Sequence, residues 1–378
     1  MSGKRVVIAG GGFAALEAAL ALQALAKDRV ELTLISPTPS FAYRPSATLD
    51  AFDDAPPFTY DLEAIAADLG ASYHRGALEA VAHKPQWVRL DSGMKLGYDY
   101  LVLAVGARAS VGVPGALTFR DQRDVGRLRI LLDQVTTGTI DRLAFAVPSR
   151  NAWSLPAYEL AFLTARHAEQ HGAAVASVIV SPEPTPLGVF GAQASRLVAG
   201  MLQERGIRFV SAIPHSVCGG GALALQFDAP LPVDGVVAVP ELHGPRITGV
   251  PTDWSGFVAV DRLGRVDGLE NVYAAGDVTD YPIKQGGIAA QQADAVAEAI
   301  AAELGAPVKE ARQARILRAR LLVGDGAVVL RTELDALGRP TTATLERRES
   351  RGTADLKVFG LYLTPYLSMY RSRAGAAA

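Results

Sequence analysis

The chain has 378 residues, 49% of them hydrophobic and 20% charged, enough apolar material for two or three domains of the usual ~100 to 200 residues. A formal net charge of −2 and the absence of a Lys/Arg block exclude nucleic acid as the expected partner, because a phosphate backbone demands a basic face. A single cysteine, Cys218, excludes an internal disulfide, a CxxC redox pair and a thiolate zinc cluster, so a reducing cytoplasm is expected and a metal site is not.

The N-terminus runs into a strand without an apolar leader, and no apolar run approaches the ~18 residues of a membrane span, so the expected chain is neither secreted nor transmembrane. RVVIA (5–9) predicts a buried strand, Phe13 to Ala26 a helix and VELTLI (30–35) a second strand, the βαβ opening of a parallel sheet. Residues 36–58, rich in Pro, Ser and Asp and without a period, predict a long surface excursion of the kind that often carries function. A strand near Ser72 to Leu78, an alternating pair around VAHKPQWVRLDSG and then YDYLVLAVGAR (98–108) complete a first lobe. Its boundary is expected between residues 108 and 140.

From Arg142 the pattern repeats as strand (RLAFAV), helix (PAYELAFLTARHAEQHG), strand (AVASVIV), helix (AQASRLVAGMLQERG) and strand (IRFVSA), closing with PLPVDGVVAVPEL. Near Gly256 the chain returns to the first lobe, ending in an Ala-rich helix from Gly287 to Gly305. The expected fold is α/β, two Rossmann-type three-layer domains with a C-terminal cap. Residues 1–110 and 255–306 would form a discontinuous first domain, 111–254 the second and 307–378 the cap.

Gly10, Gly12 and Ala15 give the spacing G-x-G-x-x-A between strand and helix. The first glycine allows the tight turn and the second lets a pyrophosphate approach the backbone, including that of Phe13 and Ala14; the third small residue lets helix and strand pack closely. The helix N-terminus stabilises phosphate charge. An acidic residue usually ends the second strand to take ribose hydroxyls; Ser36 stands there instead. In YAAGDVTDYPIKQGGIAAQQAD (273–294) a strand ending in Gly276 and Asp277 presents a carboxylate to sugar-like hydroxyls, and Gly286 and Gly287 open a helix toward an anionic ring, which fits a flavin. The competing reading is a capped turn and a strand break.

Gly10, Gly12 and Ala15, YDYLVLAVGAR and VYAAGDVTDYPIKQGG together resemble the two-dinucleotide-binding-domain flavoproteins, particularly the branch of sulfide:quinone oxidoreductases and type II NADH dehydrogenases, over about residues 4–305. The resemblance implies FAD across the first domain, its pyrophosphate on Gly10 to Ala15, its ribityl chain near Asp277 and its ring over the helix opening at Gly287. Ala104 to Gly106 match the family's Ala-Thr-Gly turn, with Val105 in place of threonine. Lys284, beside Gln285 in the same cofactor-binding segment, would lie near the ring, where a cation stabilises negative charge on the reduced flavin; the bland reading is a solvated lysine. Arg44, in the Tyr43–Arg44–Pro45 stretch common in that branch, would contact FAD phosphate or close the pocket, or else anchor its loop.

In the second lobe no glycine stands between Val147 and Tyr158, so the loop after RLAFAV lacks a phosphate cradle. The degenerate lobe resembles that of the sulfide:quinone branch, whose acceptor is a quinone, but a single Cys218 cannot form that branch's cysteine pair and reads as a small buried hydrophobe. Trp153, Pro156, Tyr158 and Glu159 are expected to wall a flavin pocket, with Glu159 a proton donor or polar anchor unless it is a solvated helix carboxylate. Lys284, Glu159 and Tyr158 are therefore the catalytic candidates.

In the tail, Phe359, Tyr362, Tyr366 and Tyr370 are spaced to share one helical face, flanked by Lys357, Arg371 and Arg373, with Pro365 expected to kink or break the helix. Such a face suits peripheral contact with the inner face of a membrane, a cover for the flavin domain, or a twofold partner in a homodimer. The expected function is an FAD oxidoreductase carrying two electrons from an unidentified small-molecule donor to a quinone or similar acceptor without a cysteine relay. The alternatives are an NAD(P)H dehydrogenase, with Arg150 or Glu183 improvising coenzyme contacts, and a non-catalytic flavin carrier.

Overall fold

The computed structural model of the protein describes residues 3–53, 59–308, 314–342, 345–350 and 356–376. Its α-helices run in chain order as α1 Phe13–Ala26, α2 Ala47–Asp50, α3 Leu62–Asp68, α4 Val125–Thr136, α5 Leu155–Gln170, α6 Ala192–Glu204, α7 Gly286–Glu303 and α8 Leu363–Ala376.

The β-branched and leucine runs of the first lobe form one parallel five-stranded sheet, ordered Val272–Ala274, Tyr100–Leu103, Lys4–Ala9, Val30–Ser36 and Ser72–Arg75. Val6, Ile8, Leu101, Val102 and Ala274 are completely buried, as expected of strands covered on both faces. The order reverses beside Lys4–Ala9, so the carboxyl ends of that strand and of Tyr100–Leu103 open a crevice at the switch point. The Ala104 N–H donates to Ala9 O at 2.8 Å and the Gly10 N–H to Ile35 O at 2.7 Å, holding the glycine turn at that crevice. The alanine-rich faces of α1 and α7 pack together beside the sheet, which brings the two glycine-opened N-termini close to each other.

A second parallel sheet, ordered Leu117–Thr118, Gly235–Ala238, Arg142–Ala146, Ala176–Ser181 and Arg208–Ser211, repeats the plan. The C-terminal segment adds an antiparallel sheet of Arg315–Leu322, Gly326–Leu334 and Leu345–Ser350. Leu317, Ala319 and Leu321, alternating along its first strand, bury into the same core as Phe162 of α5.

Three expectations are corrected. The excursion after Ser36 is built into the protein: Ser40–Ala42 pairs with Thr59–Asp61, and Phe41, Tyr43, Ala47, Thr48 and Ala51 are buried. Its prolines and polar residues mark turns, while Phe41 and Tyr43 pack edge-on against Phe13 with ring centres 5.1 and 5.6 Å away; residues 54–58 of that stretch lie outside the described residues. Cys218 is exposed rather than buried, because it ends a hairpin strand before a run of three glycines. In the tail, Phe359 precedes α8, and Pro365 falls in the first turn of that helix, where its missing N–H is harmless and no break results. Tyr362, Tyr366 and Tyr370 pack on the first lobe, with the Tyr366 hydroxyl donating to Asp68 at 2.8 Å, so protein covers this stripe. Among the described residues no helix is long and apolar enough to cross a membrane.

Candidate cofactor site

Gly10 has φ +142°, and a Cβ there would lie 2.1 Å from the Ala104 carbonyl oxygen; only glycine lets the two strand ends approach. A Cβ on Gly12 would meet nothing within 4 Å, so the space beside this turn is open. No side chain caps α1 at Gly12, which leaves N–H groups of its first turn facing that space. Beneath the turn, a Cβ on Gly11 would lie 2.7 Å from Ser36 Oγ, placing Ser36 against the glycine loop; its hydroxyl also bonds the Thr38 N–H at 3.3 Å. Gly106, at φ +74°, likewise faces open space past Ala104.

Gly276 settles onto the junction of the two helices: its Cβ position is 3.0 Å from Ala14 Cβ and 3.3 Å from Ala289 Cβ, and its N–H donates to Gln292 at 2.7 Å. Asp277 therefore stands over the crevice. Among the described residues nothing donates to its carboxylate, and burial pushes that carboxyl above the ordinary aspartate range against the opposing pull of Lys284 and Arg44. Arg44 is exposed, with a long contact of 3.8 Å to Asp121. An uncapped helix N-terminus beside open glycines suits a pyrophosphate, and an unpartnered carboxylate above it suits sugar-like hydroxyls. These residues fit FAD.

Lys284 is buried, and its ammonium turns into the protein, donating to the Thr279 carbonyl and lying 3.8 Å from the centre of the Phe257 ring. Burial pushes it down to about 8, although Asp277, Asp280 and Asp253 pull the other way. The lysine thus braces the loop that carries Asp277. Gln285 caps α7, accepting from the Ile288 N–H at 3.0 Å and donating to the Arg318 carbonyl at 3.1 Å. Gly286 admits Phe13 and Val358, each with an atom 3.1 Å from its Cβ position, and Gly287 lies beside the Gln285 amide.

Glu159 is 1% exposed and is not a solvated helix carboxylate. It accepts from Thr48 Oγ1 at 2.8 Å and the Leu322 N–H at 3.2 Å, and forms an ion pair with Lys357 at 2.7 Å, joining the first-lobe excursion, the C-terminal sheet and the tail. Tyr158, one residue earlier, points about 100° around the helix and misses this cluster. Its hydroxyl donates to Glu183 at 2.9 Å inside the second lobe, accepts from the Leu187 N–H at 3.3 Å, and its ring stacks on Phe209. Its expected place in the flavin pocket is corrected; the Trp153 ring meets Phe190 edge-on. Sequence reasoning missed Thr48, Phe257 and the partnership of Lys357, which have no local spacing to betray them.

The second lobe's crevice is occupied by its own side chains. Glu183, just past the strand Ala176–Ser181, is the acid placed where a ribose would be held, but its carboxylate accepts from Ser154 (3.1 Å), Tyr158 (2.9 Å) and Ser181 (2.9 Å). Among the described residues no cluster of His, Cys, Asp and Glu could hold a metal ion. An open cavity of about 700 Å³ lined by Asp261, Arg265, Tyr273 and Glu303 lies at the opposite, amino-terminal ends of the first sheet's strands, away from the glycine turn.

Residues 4–144 and 157–299 match the family model for pyridine nucleotide-disulphide oxidoreductases. The sulfide-quinone reductase of Aquifex aeolicus (strain VF5) is 24% identical over 303 residues, spanning 74% of this chain and 69% of that protein. The anthranilate 1,2-dioxygenase system ferredoxin–NAD(+) reductase component of Burkholderia cepacia is 29% identical over 302 residues, again 74% and 69%. Of solved structures, the sulfide:quinone oxidoreductase from Aquifex aeolicus superposes with a TM-score of 0.81 over 98% of this chain and 90% of its own, at 20% identity. The ferredoxin reductase of the CYP199A2 system from Rhodopseudomonas palustris gives 0.67 over 87% and 82%, at 18% identity. The fold is that of two-domain Rossmann-type flavoproteins.

Proposed function

The chain belongs to the pyridine nucleotide-disulphide oxidoreductases and is an FAD-dependent oxidoreductase; from that premise we propose that it carries two electrons from a donor other than NAD(P)H to a quinone or similar small acceptor, without a cysteine relay. The observation that carries this reading is the closed second lobe, where Glu183 already holds three hydroxyl donors and no glycine opens the preceding loop. Cys218 has no second thiol to pair with and is exposed on a hairpin.

FAD supplies two-electron transfer at its N5 when bound. The chain's own residues then divide the work. The Gly10–Ala15 turn and the N-terminus of α1 would hold the FAD pyrophosphate, Asp277 would take its ribityl hydroxyls, and Arg44 would be available to its phosphates. Lys284 holds the Asp277 loop in place through the Thr279 carbonyl. A quinone that accepts two electrons also accepts two protons, and the adjacency of Lys357 to Val358, which packs on Gly286, supports the Lys357–Glu159 pair as the carrier of one of them.

The test is anaerobic stopped-flow absorbance of the purified holoenzyme mixed with NADH and with NADPH, followed by dithionite reduction and reoxidation by a short-chain benzoquinone. The expected result is no bleaching of the flavin band by either coenzyme and rapid reoxidation by the quinone. Rapid bleaching by NADH would overturn it in favour of the second reading, a nicotinamide-linked reductase, which the likeness to the Burkholderia reductase component favours.

A further inference from the structure

We propose that Glu17 is a positioning residue that pins residues 357–363 across the opening of α7 and so sets the wall of the acceptor pocket; the acceptor half of this proposal rests on the quinone reading above.

Glu17 sits among alanines and leucines in α1 and is completely buried. A carboxylate is tolerated there only if it is bonded, and its partners come from the far end of the chain. One oxygen accepts from the Tyr362 N–H and the other from the Leu363 N–H, both at 2.8 Å. Leu363 opens α8, so Glu17 acts as a remote cap, with its charge at the positive end of that helix.

Gly360 makes the approach feasible, because a Cβ there would lie 2.3 Å from Glu17 Oε2. The bend is tied internally by the Gly360 N–H donating to Thr364 Oγ1 at 2.7 Å. The other end of the segment is held as firmly. The Val358 N–H donates to the buried Tyr43 hydroxyl at 2.8 Å, and Lys357 pairs with Glu159.

Between these pins, Val358 packs against Gly286, and the Phe359 carbonyl oxygen is 3.6 Å from the Cβ position of Gly287. The Phe359 ring is 50% exposed, with the Arg318 guanidinium 4.7 Å from its centre. The segment therefore seats a buried valine on Gly286 and presents a half-exposed aromatic ring at the helix opening where the flavin ring is expected. A flat apolar acceptor would meet this ring only while the segment stays docked.

The experiment compares the wild-type holoenzyme with Glu17→Gln and Gly360→Ala, which weaken the pin by removing a bond and by a steric clash respectively. Amide hydrogen exchange of residues 357–363, flavin content, dithionite reduction, and the kcat and KM for a short-chain benzoquinone are measured on each. The expected result is faster exchange at Tyr362 and Leu363, a KM raised about tenfold, and unchanged flavin content and dithionite reduction. Unchanged exchange would overturn the pin. Faster exchange with unchanged KM would overturn the acceptor role, as a purely structural contact predicts. A wild type that reduces no quinone removes the acceptor role together with the functional reading, and the exchange data still decide the pin. If both variants unfold, Tyr43→Phe releases the segment from its other end and the same two readouts decide.

Discussion

The Lys357 ammonium lies 2.7 Å from the carboxylate of Glu159, closing an ion pair between residues 198 positions apart inside the protein. Lys357 is 12% exposed and Glu159 1%, so neither charge has water to fall back on. Removing one partner of such a pair strands the other, at about 3 kcal/mol. Glu159→Gln and Lys357→Met are each expected to lose about that much in urea unfolding, and Glu159→Gln combined with Lys357→Met to lose less than the two single losses added. Strict additivity would show that the pair has no mutual stabilisation.

Gly10 and Gly12 separate folding from cofactor binding. Gly10→Ala forces a methyl 2.1 Å from the Ala104 carbonyl oxygen at φ +142°, and is expected to destabilise the apoprotein by about 4 kcal/mol or prevent folding. Gly12→Ala meets nothing within 4 Å and should leave apoprotein stability within about 0.5 kcal/mol. It should nevertheless weaken FAD retention about tenfold, because the methyl enters the space left for the pyrophosphate. Thermal melts of the apoproteins and flavin absorbance per protein measure the two effects.

Asp277 poses the opposite trade. Burial holds its carboxyl above the ordinary aspartate range, so its ionisation destabilises the apoprotein, and that loss grows as pH rises from the ordinary value toward the raised one and is complete above it. Asp277→Asn is expected to raise the apoprotein melting temperature at pH 7 while reducing FAD affinity. A variant that binds FAD as well as the wild type would remove Asp277 from the ribityl contact.

Lys284 is pushed down from the ordinary lysine value of 10.5 to about 8. A lysine depressed in the folded state carries its full penalty below the folded value, and the penalty fades as pH rises from there toward the ordinary value. Wild-type apoprotein should therefore gain stability relative to Lys284→Met between pH 8 and 10, by up to about 3 kcal/mol. Parallel stability curves for the two proteins across that range would refute a depressed lysine.

Tyr158→Phe tests the corrected placement of this residue. It deprives Glu183 of one of three hydroxyl donors and the Leu187 N–H of its acceptor, at a cost of about 1 to 3 kcal/mol. Flavin absorbance and the rate of flavin reduction should not change. An altered flavin spectrum would return Tyr158 to the cofactor pocket.

The glycine turn, its flanking strands and the Gly276–Asp277 segment were legible because each depends on neighbours in sequence: a period, a tight turn and a helix N-terminus are local objects. The excursion after Ser36 was not, since its composition marks turns while the burial of Phe41 and Tyr43 depends on Phe13. Adjacent positions Tyr158 and Glu159 looked interchangeable as pocket residues, and only the packing of α5 between two lobes sent one to Glu183 and the other to Lys357.

By itself the sequence determined the parallel α/β plan, the glycine turn between the first strand and α1, the carboxylate at the end of the returning strand and the missing glycines of the second lobe. Tertiary structure alone decided which charges meet. The Lys357–Glu159 pair and the bonds of Glu17 join residues 198 to 346 positions apart, and a buried charge is placed by the bonds that compensate its desolvation, wherever along the chain those bonds originate.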